Sequence, residues 1–483
     1  MNWIEEHWLR LLFIAAYLAL LAYHCWIAKR ETHDLGDYLV AGRSLGGWVI
    51  ALSFYATFVS TNSFIGHAGK GWDVGLIWYI KGVVIVTCTY IAWYLVAPRF
   101  FRRSLEYKSL TVPDFLGRRY GSAVLRRISA VVILIASVIY LVAVYKGSAL
   151  ALQEFLGLDY RVAAVAIFVV VTIYTLAGGF RSVVLTDAVQ GVIMAIGAVV
   201  LIVAVIFKGG GLISILDTIR EQDPELVSWQ GKMPLIAVFG LALAGGMKML
   251  VDPRQLSRIY GLKDEKALGV ARIVAPLLIL ITYVCLLPIG AFAHAMIPAD
   301  AIADSDSVLP YLLGTAELLG PTLSSVFLLV LLSAAMSSLD SVLLVAASSV
   351  SRDILIVDDS DPRVLRRTRY WVVITSSLGM LLALNPFGDI VTITAFSGSL
   401  YAACFLPTLV LGLYWQGGTA IGACACVLLG SITVIGWYFA KAAGWTTLHE
   451  VYVGIVVAFP AYVAFSFVAS KSASDETQEP TNS

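Results

Sequence analysis

Four ionisable side chains stand inside long apolar stretches that hold little other charge: Lys81, Lys146, Asp187 and Asp340. In a hydrocarbon interior each costs a few kcal/mol unless it is paired or hydrated, so each marks a partner, a water-filled cavity or an ion. Asp340 lies in the run Leu332–Ser341. Ala334, Ser337 and Ser338 stand there at i, i+3 and i+4, on one helical face, and Ser337, Asp340 and Ser341 form a second such set on an adjoining face. Hydroxyl and carboxylate oxygens focused this way suit a small hard cation. Serine and alanine also let helices approach closely, with hydroxyls bonded to the preceding turn, but close packing needs no carboxylate at that depth. Lys81, one turn into its stretch, is expected to snorkel to the headgroups. Lys146 lies too deep for that.

Backbone chemistry is expected at a second place. Ser60, Thr61, Asn62 and Ser63 sit in mid-stretch and are followed by Gly66 and Gly69. This is a poor continuous helix. Such a segment unwinds and presents carbonyls and hydroxyls, which a membrane tolerates only where they line a cavity. Gly245-Gly246 is a second expected break. Two interrupted helices in corresponding positions point to an inverted-repeat transporter with its site near the midplane. His67, alone beside a glycine, reads as a hydrogen-bonded packing residue.

The elements that position these groups follow from composition. Of 483 residues, 59% are hydrophobic and 13% charged, against about 25% charged in soluble domains. That excludes a cytosolic enzyme, a disordered scaffold and a disulfide mini-domain, and predicts an all-α multi-span membrane protein. Uncharged windows predict about thirteen transmembrane helices. Basic residues gather in alternate loops, above all 99–127, while Asp217–Glu225 and Asp300–Asp306 are acidic. The positive-inside rule then places the N-terminus outside and the C-terminus in the cytoplasm of an inner (plasma) membrane. The basic, aromatic-laced run Arg99–Arg127 reads as a topology anchor on lipid phosphate, so no nucleic-acid partner is expected. No phosphate-binding loop, nucleophile elbow or metalloprotease motif is present, and neither an enzyme nor an organic cofactor is expected. The start lacks the basic region and cleavage site of a signal peptide, and residues 471–483 are expected to be a disordered cytoplasmic tail.

The stretch Tyr174–Gly191, with its Ala-Gly-Gly-Phe-Arg-Ser core and Asp187, resembles the signature of the sodium:solute symporter family, which includes the proline, pantothenate and sugar symporters. Residues 37–48, 63–69, 252–267, 336–341 and 405–415 match further family segments in order. The resemblance implies a LeuT-like core of two inverted five-helix repeats within a single transporter domain. The first helix (about 7–28) lies outside the core, the repeats span 47–207 and 233–415, and two C-terminal helices occupy 418–470. It implies sodium as coupling ion, one or two per cycle. The first sodium site maps onto carbonyls of Ala56, Val59 and Ala334 with the hydroxyls of Ser337 and Ser338. A second sodium or proton site maps onto Asp187, Ser337, Asp340 and Ser341. The implied solute cavity is lined by Ser60, Thr61, Asn62, Ser63, Tyr145, Lys146, Gly245, Gly246, Phe396, Ser397 and Tyr401. Phe396 and Tyr401 read equally well as gates or as core. Lys146 either captures a substrate carboxylate or, the preferred reading, neutralises Asp340.

The expected activity is sodium-coupled import of a small organic solute by alternating access, an organic acid, amino acid or pantothenate-like compound before a sugar. A proton-coupled version carried by Asp187 and Asp340, and a transporter-like solute sensor, are the alternatives. The expected partners are the solute and the bilayer, and the expected functional unit is a monomer.

Overall fold

The computed structural model describes residues 3–31, 40–314, 318–355 and 363–476, which include every site position named above. Residues 37–39 of the motif 37–48 and residues 477–483 of the expected tail lie outside the described residues. Among the described residues the chain is helical, with a single isolated bridge between Leu45 and Leu262. The principal helices are α1 (Trp3–Glu31), α2 (Gly47–Phe58), α3 (His67–Val74), α4 (Tyr79–Ile91), α5 (Ala123–Leu156), α6 (Tyr160–Lys208) and α7 (Leu235–Val251). They continue with α8 (Pro253–Tyr260), α9 (Glu265–Leu286), α10 (Pro321–Ser348), α11 (Arg363–Ala383), α12 (Ile390–Phe405), α13 (Ala420–Ala442) and α14 (Glu450–Glu476).

Ten helical stretches among the described residues are long and apolar enough to cross a membrane, where sequence windows predict about thirteen spans. The difference has local causes. α2 stops after 12 residues at a backbone break. α11 begins with Arg363, Arg366, Arg367 and Arg369, which dilute its apolar character. α6, at 49 residues, is two helices joined at Gly179, whose backbone (φ 66°, ψ −176°) only glycine adopts without strain. That bend aims the second half of α6, and with it Asp187, back into the bundle. Gly179→Ala is therefore expected to destabilise the protein by about 1–2 kcal/mol, read as a lower thermal midpoint of the detergent-solubilised chain. An unchanged midpoint would show that the bend tolerates a side chain.

α10 is buried nearly along its length and packs against α5, α6, α2 and α1, while α2 lies between α6 and α9. At Gly191 of α6 a Cβ would stand 2.9 Å from the Leu52 carbonyl of α2, so the missing side chain is what lets these two helices touch. α7 packs on α4 and α12. It runs unbroken through Gly245-Gly246, where sequence predicts a break. The glycine pair is instead a flat flank: a Cβ on Gly246 would meet Val84 and Cys88 of α4 at 2.8 and 3.0 Å. The interruption comes one and a half turns later, where Asp252 leaves helical geometry and caps α8 through the Arg254 amide.

Candidate functional site

The break expected near Ser60 is present. α2 ends at Phe58, Val59 is extended (φ −75°, ψ 101°), and the chain re-enters helix through a π-turn, Asn62–Gly66, before α3. The last turn of α2 thereby keeps carbonyls with no helical donor, and these face α10. Ser337 Oγ donates to the Ala56 carbonyl at 3.0 Å and lies 3.4 Å from the Ala334 carbonyl. Ser338 Oγ reaches the Thr57 carbonyl at 3.4 Å. Ala56, Val59, Ala334, Ser337 and Ser338 are all buried. Oxygens of two crossing segments thus meet in a dry interior.

One helical turn further along α10 lies a charged cluster. Asp187 Oδ2 accepts hydrogen bonds from Ser53 Oγ at 2.7 Å and Thr57 Oγ1 at 3.3 Å, and pairs with Arg258 Nη2 at 2.7 Å. The same guanidinium nitrogen donates to Ser341 Oγ at 2.5 Å, and Ser341 Oγ contacts Asp340 Oδ1 at 3.3 Å. Two buried carboxylates therefore share one buried arginine. Asp187 Oδ1 and Asp340 Oδ2 have no hydrogen-bond partner among the described residues. With both carboxyls ionised, the cluster carries one more negative charge than Arg258 balances.

On the other side of the α2 break a narrow cavity of about 30 Å³ is lined by Phe58 and Asn62 at the break, Lys81 of α4, Tyr140 of α5, Gly245 and Lys248 of α7, Arg254 of α8, Tyr283 of α9 and Thr394 of α12. Of the residues expected around the solute, Asn62 and Gly245 line it. Ser60, Thr61 and Ser63 are buried at the break just behind them. Tyr401 borders it, its ring centroid 5.6 Å from the Lys248 ammonium, and the remaining positions make contacts of their own. Tyr145 bonds Ser376 at 2.7 Å, Ser397 bonds the Ala136 carbonyl at 2.8 Å, and Tyr401 bonds Ser137 at 3.2 Å, each stitching one helix to its neighbour. Phe396 stacks on Tyr438 of α13 with ring centroids 4.0 Å apart. Gly246 faces α4.

Two lysines depart from expectation. Lys81 does not snorkel: it is 2% exposed, in the cavity wall, because Gly245 leaves room for its Cε 3.5 Å from where a Cβ would be. Lys146 does not pair with Asp340. Its ammonium sits 2.6 Å from Asp306 and 3.1 Å from Asp304, acids of the segment before α10, and Asp306 also accepts from the Ile390 amide at the start of α12 at 3.0 Å. Lys70 reaches Asp389 at 3.4 Å nearby, so α3, α5 and the start of α12 are latched together. Burial pushes the Asp306 carboxyl up to about 6 against the pull of Lys146. His67 bonds the Tyr283 hydroxyl at 3.2 Å and packs against Trp78, the structural role expected of it.

Arg258, Lys248 and Arg254 are the residues that sequence reasoning missed. A signal existed for two of them: Arg254 and Arg258 stand at i, i+4, hence on one face of a short helix, in a motif read only as a family loop.

Comparison with known proteins adds relatives to this geometry. A model of the sodium:solute symporter family matches residues 38–430. The sodium/pantothenate symporter of Haemophilus influenzae is 30% identical over 423 residues, with 85% of each chain covered. The sodium/proline symporter of Escherichia coli is 28% identical, covering 92% of this chain and 90% of its own. A substrate-bound, outward-open Na+-coupled sialic acid symporter superposes with a TM-score of 0.80 at 19% identity, covering 96% of this chain and 97% of that one. At that identity the likeness speaks for the fold, a LeuT-like helical transporter.

Proposed function

Because the chain belongs to the sodium:solute symporter family, we propose that it couples the entry of sodium to the import of a small organic acid across the plasma membrane by alternating access. One observation carries this reading. The broken end of α2 contributes to both sites, with Ala56 and Thr57 carbonyls on α10 and Phe58 and Asn62 in the cavity wall. An ion that binds between α2 and α10 fixes the same segment that the solute must meet. The first sodium takes the carbonyls of Ala56, Val59 and Ala334 and the hydroxyls of Ser337 and Ser338. Asp187, Ser337, Asp340 and Ser341 hold a second cation, sodium or a proton, where the lone arginine leaves a carboxylate unbalanced.

The sodium shifts the conformational equilibrium only by its differential affinity for the two states. Separating α2 from α10 dissolves the first site, so a bound ion favours the state in which they touch. One charge moving down 100 mV supplies about 2.3 kcal/mol per turnover before any concentration gradient. The N-terminus lies outside, the unit is a monomer, and the domain divides into the repeats 47–207 and 233–415 flanked by α1, α13 and α14. The cationic cavity favours an organic acid over a sugar.

The test is uptake by proteoliposomes of the purified chain under an imposed sodium gradient, alongside an imposed proton gradient. Sodium-driven accumulation supports the reading. Uptake that ignores sodium and collapses with a protonophore replaces it with proton coupling, and saturable binding without accumulation replaces it with a sensor.

A further inference from the structure

The cavity beside the α2 break holds more positive charge than its own residues balance. Lys81, Lys248 and Arg254 line it, and each is 4% exposed or less. None of the lining residues is acidic. The nearest carboxylate, Asp252, is taken up by Arg254, whose Nε and Nη2 reach it at 3.1 and 2.6 Å, and it lies 3.6 Å from Lys248. Three cations thus face one carboxylate, which leaves two positive charges unbalanced. Lys81 forms no hydrogen bond or ion pair among the described residues and rests its ammonium 4.8 Å from the Trp78 ring. Arg254 Nη1 is buried with no acceptor. A buried cation without a counter-ion is costly, and an arriving anion relieves that cost.

The cations also rest on two different aromatic rings. The Lys81 Cε lies 3.5 Å from the Cβ position of Gly245, and Lys248 follows one turn along the same face of α7. Lys248 and Arg254 both lie over the Tyr140 ring, at 4.2 and 3.9 Å from its centroid, whereas Lys81 rests on a different ring, that of Trp78. Asn62 Oδ1, at the helix break, has no donor among the described residues.

We infer that the transported solute is a dianion whose two negative groups are separated by a short chain, one received by Lys81 and the other by Lys248 and Arg254. This rests on the symporter reading and narrows its substrate. A monocarboxylate would leave one of the two ends uncompensated. A zwitterion would bring its own cation into a wall already rich in them.

The test is thermal denaturation of the purified full-length protein with malonate, succinate, glutarate, the matching monocarboxylates propionate, butyrate and valerate, and sulfate, each with and without sodium. At least one dicarboxylate is expected to bind tenfold or more tighter than its monocarboxylate, and only when sodium is present. Lys81→Met is expected to bring the two within about threefold while leaving the shift caused by sodium alone as in the parent. The inference is overturned if no dicarboxylate is preferred, if sulfate alone binds, or if Lys81→Met keeps the preference. Absence of any sodium-induced shift in the parent protein would instead count against the symporter reading, so the two failures are distinguishable.

Discussion

Replacing Ser337 and Ser338 together by alanine is expected to raise the sodium concentration for half-maximal uptake about a hundredfold, and either replacement alone about tenfold. Both hydroxyls belong to α10 and face the last carbonyls of α2, at 3.0 Å from Ala56 and 3.4 Å from Thr57. An oxygen held against a full charge contributes about 1.5 kcal/mol or more, which is one decade of affinity. The backbone carbonyls remain, so the site weakens without vanishing. No buried charge is stranded by either change, and the sodium-free protein loses only about 1 kcal/mol per hydroxyl. The effect is read as initial uptake rate against sodium concentration. It is read independently of any solute as the sodium-dependent rise in thermal midpoint. Equal sodium dependence in the double variant and the parent would falsify the first-site assignment.

What the sequence made legible was what helical period and charge economy encode. Ser337 and Ser338 share a face with Ala334 because 3.6 residues make a turn, and the run Ser60–Ser63 breaks its helix because short polar residues and nearby glycines hold one poorly. What stayed hidden was fixed by contacts across the fold. Lys146 finds Asp306 over 160 positions of chain, and no periodic pattern announces that pairing. Distance from the end of a span predicts that Lys81 snorkels, but its burial depends on a bare glycine on another helix. The same glycine pair misleads in α7. Glycine reads as a break locally, whereas a neighbouring helix packed against it holds the backbone straight. Tyr145 and Ser397 face neighbouring helices, a matter of one helix's rotation that an aromatic or hydroxyl side chain does not reveal by its type.

Arg258→Leu is expected to destabilise the protein by about 3–5 kcal/mol, because it strands a buried carboxylate pair. Asp187 and Asp340 are both fully buried, and Arg258 is the cation that Asp187 touches, at 2.7 Å. Removing one partner of such a pair leaves a charge without compensation. Removing both together exchanges an ion pair for neutral side chains at little net cost. The double variant Asp187→Asn with Arg258→Leu is therefore expected to recover more than half of the loss, measured as denaturation midpoints of the solubilised protein without sodium. Losses that simply add across the cycle would show that the two side chains do not act as a pair. Sodium sharpens the comparison. If the cluster holds a cation, Arg258→Leu turns a site with one excess negative charge into one with two, and saturating sodium stabilises the variant more than the parent. A variant that collapses equally with and without sodium confines Arg258 to a structural role. One that regains its midpoint in sodium identifies the arginine as the residue that keeps the second cation's binding weak enough for release.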